Sequence, residues 1–485
     1  MKTVVIYDDT GRKSEVIRDI IGNKGFGEVI VKKKSLEEYY RGEIREKYPD
    51  LIWKKIHSSY EFADLIKELE LAYSSQECRV MHCFANYIVS EPYIAGLSFE
   101  KLKFIDEPYG VMEGQRAAAA MFPDVSSYLV FCRRIVNGEK PWDLTKEIRE
   151  HFEIEGLVDI GIVSNFIQCI TGNFDSRYFN SLQGNEYTLV KSSSNKKKIR
   201  AEYDFYHLLP DDMKYWFVMP FDYKEDADSA SYTMERLHMT DLAIKWVHGS
   251  MDRAEFEALM DKYFYFFRSR HFRTCSREDY QKNADALYVE KVNSRIADLK
   301  TLPAYQKIET LLSASPGSDL DSLVARYFEL KERIESRRKY ENRLVIGHGD
   351  PCFANALYNK STRTLKFIDP KGASREEDLW TNPYYDVAKL SHSVCGKYDF
   401  FNNGLFDIRI AEDFSYDLEI PFDNAEYIDI FREKTEENGF DYLSVRLYEA
   451  SLFLSMLPLH IDNPHKVFGF ILNAKNILEE IEKNA

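Results

Sequence analysis

At 485 residues the chain is too long for one ordinary core, so two or three domains are expected. Its content of 44% apolar, 30% charged and 14% aromatic residues is ample for packed globular domains and argues against wholesale disorder. Lys plus Arg is 65 against 80 for Asp plus Glu, a net charge of −15; this argues against broad adhesion to nucleic acid or an anionic membrane, while leaving room for a local basic pocket that holds phosphate.

The opening residues, Met1 to Asp9, become charged too soon for a signal peptide. No stretch approaches the roughly 18–20 apolar residues that span a bilayer. Residues 1–150 alternate between two patterns and predict an α/β domain, Rossmann-like, with a largely parallel sheet. Thr3–Asp8 reads as a buried strand, Arg12–Ile21 as a helix with Val16, Ile17, Ile20 and Ile21 on one stripe, and Phe26–Val31 as a strand. Ser59–Tyr73 has helical spacing, and Arg79–Val89 and Tyr128–Val136 read as further strands. Glu113-Gly114-Gln115-Arg116 reads as a polar turn at a helix start, and Asn137–Pro141 as a turn near the end of the domain.

Residues 151–239 predict a small sheet lobe, with strands at Ile160–Ile170, Tyr187–Lys191 and Tyr215–Pro220 and a helix at Lys196–Leu209. Residues 240–485 predict a large helical lobe. Phe256, Leu259, Met260, Tyr263 and Phe267 form one stripe, and Leu320, Leu323, Val324, Tyr327, Leu330 and Ile334 another, with Ser444–Met456 and Val467–Ile481 helical in the tail. The seven cysteines are scattered, with no Cys-x-x-Cys pair or zinc spacing, and read as free thiols of a reducing cytoplasm.

The most informative segment is Leu344–Asn355, in which an apolar strand runs into His348-Gly349-Asp350 and Asn355 follows the Asp by five. Asp-x-x-x-x-Asn is the spacing of a kinase catalytic loop, where Asp receives the acceptor proton and Asn holds magnesium. Ala356–Tyr358 and Leu365–Ile368 then predict a hairpin that returns Asp369 to the same end as Asn355, beside Asp350. Oxygen donors gathered at one point suit Mg²⁺, which keeps several waters and takes one or two carboxylates plus phosphate oxygens.

His348-Gly349-Asp350, Asn355 and Ile368-Asp369-Pro370 together resemble the aminoglycoside phosphotransferase and choline kinase family, which has the protein-kinase-like fold. Ile368–Gly372 is close to the antibiotic phosphotransferase variant, and Tyr385-Asp386-Val387-Ala388 is similar to the family's structural Asp-Leu-Ala segment. The resemblance covers roughly residues 155–480. It implies a bilobal α+β fold behind the α/β domain, Asp350 as the catalytic residue, Asn355 and Asp369 as magnesium ligands, and ATP or GTP as phosphoryl donor.

It also implies a strand lysine for the nucleotide phosphates and a helix carboxylate for that lysine. Lys191 fits the first. Ile199, Glu202, Phe205 and Leu209 recur at three or four residues, so Glu202 points inward, where an unpaired carboxylate is costly. A Lys191–Glu202 ion pair answers both demands; Asp204 lies on another helix face. Thr171–Ser176, with Asn173 and Ser176, is the candidate phosphate-covering turn. Ser231–Leu237 resembles the hinge that reads the adenine edge through Glu235 and Leu237. His348 reads as holding the loop by hydrogen bonding.

The resemblance implies that acceptor contacts come from the helical lobe, where Glu376, Glu377, Asp378, Trp380, Tyr384, Tyr385, His460 and Asp462 are the candidates; carboxylates and aromatics suit an amine or a sugar face. The acceptor is expected to be a small molecule such as a sugar, aminoglycoside or amino alcohol, with neither nucleic acid nor membrane as partner. In residues 1–150, Asp8-Asp9-Thr10-Gly11 departs by one residue from the Asp-x-Asp-Gly-Thr spacing of haloacid-dehalogenase-like phosphatases, which puts the second carboxylate on the opposite strand face. Substrate recognition, docking and homo-oligomer formation remain open for this domain, as does a second activity in a bifunctional enzyme. A nucleotide-binding pseudokinase scaffold is the rival from another class; the presence of Lys191, Asp350, Asn355 and Asp369 argues against it.

Overall fold

The computed structural model describes residues 2–31, 33–47, 51–73, 78–89, 104–154, 156–170, 181–185, 187–313, 319–337, 342–412 and 415–484. The chain separates into two compact units, residues 1–176 and 177–485.

In the first unit a six-stranded sheet runs in the order Leu51–Ile56, Lys2–Asp8, Cys78–Phe84, Arg116–Phe122, Tyr109–Glu113, Glu150–Glu153. Pairing is parallel among the first three strands and between the last two, but strand 116–122 is antiparallel to both neighbours. The sheet is therefore mixed, because Glu113–Arg116 closes a hairpin instead of opening a helix.

Alternation along the first strand sends Val4 and Ile6 into a core shared with the helices Phe62–Tyr73 and Val125–Val136, and Val5 into a second core with Ile44, Met81 and Met121. Residues 128–136, expected as a strand, are helical: Tyr128, Leu129, Phe131, Cys132 and Ile135 cover one buried face, and the Asp124 side chain caps the start by accepting from Ser127 N–H. Residues 163–170 are likewise a helix, burying Phe166 and Cys169. Phe26–Glu28 is a 3₁₀ turn followed by a two-residue strand, because Asp9 takes the Phe26 and Gly27 N–H groups at 2.7 and 3.0 Å. A Cβ on Gly25 would collide with the same carboxylate.

Asp8 and Asp9 turn to opposite faces. Asp8, 2% exposed, accepts from Thr10 N–H at 2.9 Å and pairs with His82 Nε2 at 3.0 Å, and His82 Nδ1 meets the Tyr128 hydroxyl at 2.9 Å. Both of its oxygens are thus engaged in the interior.

The second unit opens with a four-stranded antiparallel sheet in the order Ser181–Gly184, Thr188–Ser193, Ala230–Glu235, Pro220–Glu225. The helix Lys196–Leu208 lies across it with Ile199, Glu202 and Phe205 inward. The strand expected at 215–220 begins only at Pro220; Phe217 ahead of it makes a single bridge to Phe367 and plugs the core. Beyond residue 240, long helices enclose one contiguous core, among them Arg253–Ser269, Leu320–Glu335, Pro383–Val394, Tyr442–Met456 and Pro464–Asn484. Helix Tyr442–Met456 is buried from Ser444 to Met456 and correspondingly shows no polar face. Among the described residues no helix is long and apolar enough to cross a membrane. All seven cysteines are free.

Candidate active site

Lys191 sits mid-strand opposite Tyr232, and both face the inner stripe of helix 196–208. The Lys191 ammonium donates to Glu202 Oε2 at 2.7 Å and to Asp369 Oδ1 at 2.7 Å, and the Tyr232 hydroxyl donates to Glu202 Oε2 at 3.1 Å. The Lys191 and Glu202 side chains are 3% and 1% exposed. Burial by itself would lower the Lys191 pKa, but Asp369 and Glu202 outweigh it and hold the amine charged.

Asp369 reaches that point through the hairpin Ala356–Asn359 and Thr364–Phe367, whose register sets Ala356 opposite Phe367 and so returns Ile368 to Asn355. Ile368 N–H donates to Asn355 O at 3.0 Å. Asp369 itself adopts φ +53°, a left-handed conformation that non-glycine residues rarely take and that surrounding structure must impose. Asn355 ends a 3₁₀ turn and gives its amide N–H to Asp350 O at 2.9 Å, which turns Oδ1 into its free donor oxygen for a hard cation. One carboxylate and one carboxamide at the end of a hairpin, with Asp369 41% exposed, is an all-oxygen donor set that fits Mg²⁺.

The loop His348–Asp350 is held from below. Asp386, on helix Pro383–Val394, accepts from His348 N–H at 2.9 Å and Gly349 N–H at 2.8 Å, and pairs with Arg270 Nη1 at 2.9 Å. His348 lies flat on Phe217 with ring centroids 5.7 Å apart. Its Nε2 meets Ile368 O at 2.9 Å and its Nδ1 accepts from Asp350 N–H at 3.0 Å, which defines the Nε2–H tautomer. Burial lowers its pKa, so the ring is a neutral brace between loop and hairpin. Gly349 has φ +85°, and a Cβ there would collide with Lys371.

Asp350 is 40% exposed at the loop tip, and its Oδ1 lies 3.1 Å from Lys389 Nζ. Burial raises its pKa, but Lys389 outweighs that and keeps the carboxylate ionised, the form that takes a proton. Lys389 was not picked out from the sequence. Its signal is position: it stands between buried residues on a helix whose other described members are all buried.

Glu235 ends the strand that pairs with Lys191's strand, and Leu237 packs beside the small-lobe core at the crossing into the helices. Thr240 then pairs with Tyr358, which ties this crossing to the hairpin that carries Asn355 and Asp369. Asn173 and Ser176 lie outside the described residues. Among the acceptor candidates, Tyr384 and Tyr385 are 8% and 4% exposed and packed: Tyr384 OH accepts from Asp441 N–H, and Tyr385 OH from Lys291 Nζ. Glu376, Glu377 and Asp378 lie on an exposed turn, where Asp378 pairs with Arg375, and Trp380 lies under the Arg273 guanidinium at 4.8 Å. Asp378 and the aromatic cluster thus have structural partners.

Asp399, 1% exposed, also escaped sequence reading. Burial pushes its pKa up to about 7, with Asp241 and Asp350 acting in the same direction. An acid whose folded pKa is raised adds its full stability below its unfolded pKa and loses it as pH rises through the folded value. Asp399→Asn is therefore expected to be near neutral at about pH 4 and to stabilise the chain by on the order of 4 kcal/mol above about pH 7. Urea unfolding at the two pH values measures this; an equal effect at both would contradict it.

No family model matches the chain, and no curated protein matches it. Similar solved structures include a thermostable mutant of aminoglycoside phosphotransferase APH(4)-Ia without ligand, at 13% identity and TM-score 0.34, covering 62% of this chain and 93% of that one. A ternary complex of that enzyme's thermostable form with ADP and hygromycin B gives 11% identity and TM-score 0.35, covering 62% and 92%. Overlaps this shallow carry no argument about activity, which rests on the chain's own geometry.

Proposed function

We propose that the chain is a Mg²⁺- and ATP- or GTP-dependent phosphotransferase acting on the hydroxyl of a small metabolite in the cytoplasm. The observation that carries this reading is Lys191 bridging Glu202 and Asp369, each at 2.7 Å, at the mouth of the hairpin that also presents Asn355. A buried lysine fixed between two carboxylates is placed to meet phosphate oxygens. Asn355 and Asp369 would hold Mg²⁺, which supplies charge neutralisation for the donor phosphates.

The remaining chemistry belongs to the chain. The acceptor oxygen attacks the γ-phosphorus, the bond from that phosphorus to the β,γ-bridging oxygen breaks, and the nucleoside diphosphate leaves. Asp350 orients the hydroxyl and receives its proton. His348 and Asp386 keep the loop at its height over the hairpin. Glu235 and Leu237 would line the adenine edge with backbone groups.

Lys191→Met tests the nucleotide half of this reading. It removes the phosphate contact and leaves buried Glu202 with only the cation of Lys198, at 3.7 Å, so Mg–ATP affinity is expected to fall about tenfold or more. Calorimetric titration of the full chain measures it, and unchanged affinity in the variant would contradict the assignment of Lys191.

A further inference from the structure

The helices behind Asp350 gather basic groups where an acceptor for an amine would be expected to find acids. Lys389 Nζ meets Asp350 at 3.1 Å. Three residues along the same helix, His392 is 1% exposed, with neither ring nitrogen in a hydrogen bond, and stacks on Tyr398 at a centroid distance of 4.1 Å. Lys466, from helix 464–484, lies 6.0 Å from the Tyr398 ring and 5.4 Å from Phe470, and donates to Asn402. His460 completes the group, 5.4 Å from Phe470 between ring centroids.

The ionisable groups that bear on His392 are all basic: Lys389, His460 and Lys466. Together with burial, the first cause, they drive its pKa far below the ordinary value. Two acids offset part of this charge: Asp350, which pairs with Lys389 at 3.1 Å, and Asp399, next to Tyr398 in sequence, which burial pushes up to about 7 and which is therefore only partly ionised at neutral pH. Lys389 and Lys466 are the charged members of this group, His392 being neutral, and ammonium groups in a low-dielectric wall favour an anion over an amine.

We infer that the acceptor is a hydroxyl compound carrying an anionic group, phosphate or carboxylate, seated by Lys389 and Lys466 around the Tyr398 ring while its hydroxyl faces Asp350. This rests on the phosphotransferase reading above and narrows its substrate class away from aminoglycosides and amino alcohols. Lys389 touches the reacting carboxylate. Lys466 is the specificity residue; it stands on helix 464–484 and gives a hydrogen bond to Asn402, not to Asp350.

The test is calorimetric binding to the full chain loaded with Mg²⁺ and a non-hydrolysable ATP analogue, using glucose, glucosamine, glucuronate and glucose 6-phosphate. At least one of the two anionic sugars is expected to bind about tenfold or more tighter than glucose and glucosamine. Which of the two wins separates a carboxylate from a phosphate acceptor. Lys466→Gln is expected to remove most of that advantage with nucleotide affinity unchanged, and Lys466→Arg to restore it; a merely structural lysine would shift all four sugars alike. Should Lys466→Gln fail to fold, the order of the four sugars on the native chain decides. Glucosamine binding best, neither anion binding, or an undiminished anion advantage in Lys466→Gln overturns the inference while nucleotide binding leaves the phosphotransferase reading standing. Failure to take up Mg–nucleotide overturns both.

Discussion

Asp350→Asn is expected to lower acceptor-dependent nucleotide turnover by about 10³-fold while leaving Mg–nucleotide affinity within about threefold. The carboxylate is ionised because Lys389 outweighs the cost of burial, and asparagine in the same place can accept a hydrogen bond but cannot take the proton. The nucleotide contacts assigned to Lys191 and Asp369 lie on other elements, so binding should survive. The fold should survive too, since the Asp350 side chain is 40% exposed and its ion pair is with Lys389. Single-turnover kinetics beside calorimetry separates the two effects. Retained turnover would remove Asp350 from the mechanism, and lost binding would move it to the nucleotide.

Asp386→Ala is expected to be the most destabilising single change at the site, by about 3–5 kcal/mol, lowering Tm by roughly 10 °C. Asp386 is fully buried and serves three donors, the His348 and Gly349 N–H groups and Arg270. Its removal leaves a guanidinium only 1% exposed without its carboxylate, and a loop without its anchor. The cause can be separated from simple loss of packing. Adding Arg270→Met to Asp386→Ala should recover part of the stability, because the unpaired buried charge is gone, but not the activity, because the loop remains unanchored. Equal Tm for Asp386→Ala and the native chain would contradict the clamp.

The site was legible where it depends on local spacing. The three-and-four recurrence of Ile199, Glu202 and Phe205 turns Glu202 inward, and a hairpin of the length between Asn355 and Asp369 brings its ends together; both are short-range geometry. Partners far apart in sequence were not legible. Arg270 and Asp386 are 116 residues apart, and Asp8 and His82 are 74 apart. Nothing in either neighbourhood names the other. Lys389 left a weaker trace, a lone lysine in a buried helix. In the first unit the misread elements are short apolar runs. Tyr128–Val136 and Ile160–Ile170 carry β-branched and aromatic residues that suit strands, and periodicity over so few residues does not decide between strand and buried helix. The Asp124 cap does decide for the first of them. The basic group behind Asp350 was not legible for a related reason: Glu376–Asp378 is conspicuous as a run in sequence, whereas Lys389, His392 and Lys466 converge only in three dimensions.

Phosphoryl transfer itself is the central claim. The most direct measurement is nucleotide consumption by the purified full chain with Mg²⁺ against a panel of hydroxylated acceptors, including sugar phosphates, sugar acids, neutral sugars and aminoglycosides, with Asp350→Asn run alongside. The account predicts that at least one acceptor stimulates turnover, that a phosphorylated acceptor accumulates in step with nucleoside diphosphate, and that both vanish in Asp350→Asn. Stimulated turnover of equal size in Asp350→Asn, or a native chain that neither binds nor consumes Mg–nucleotide, would contradict it.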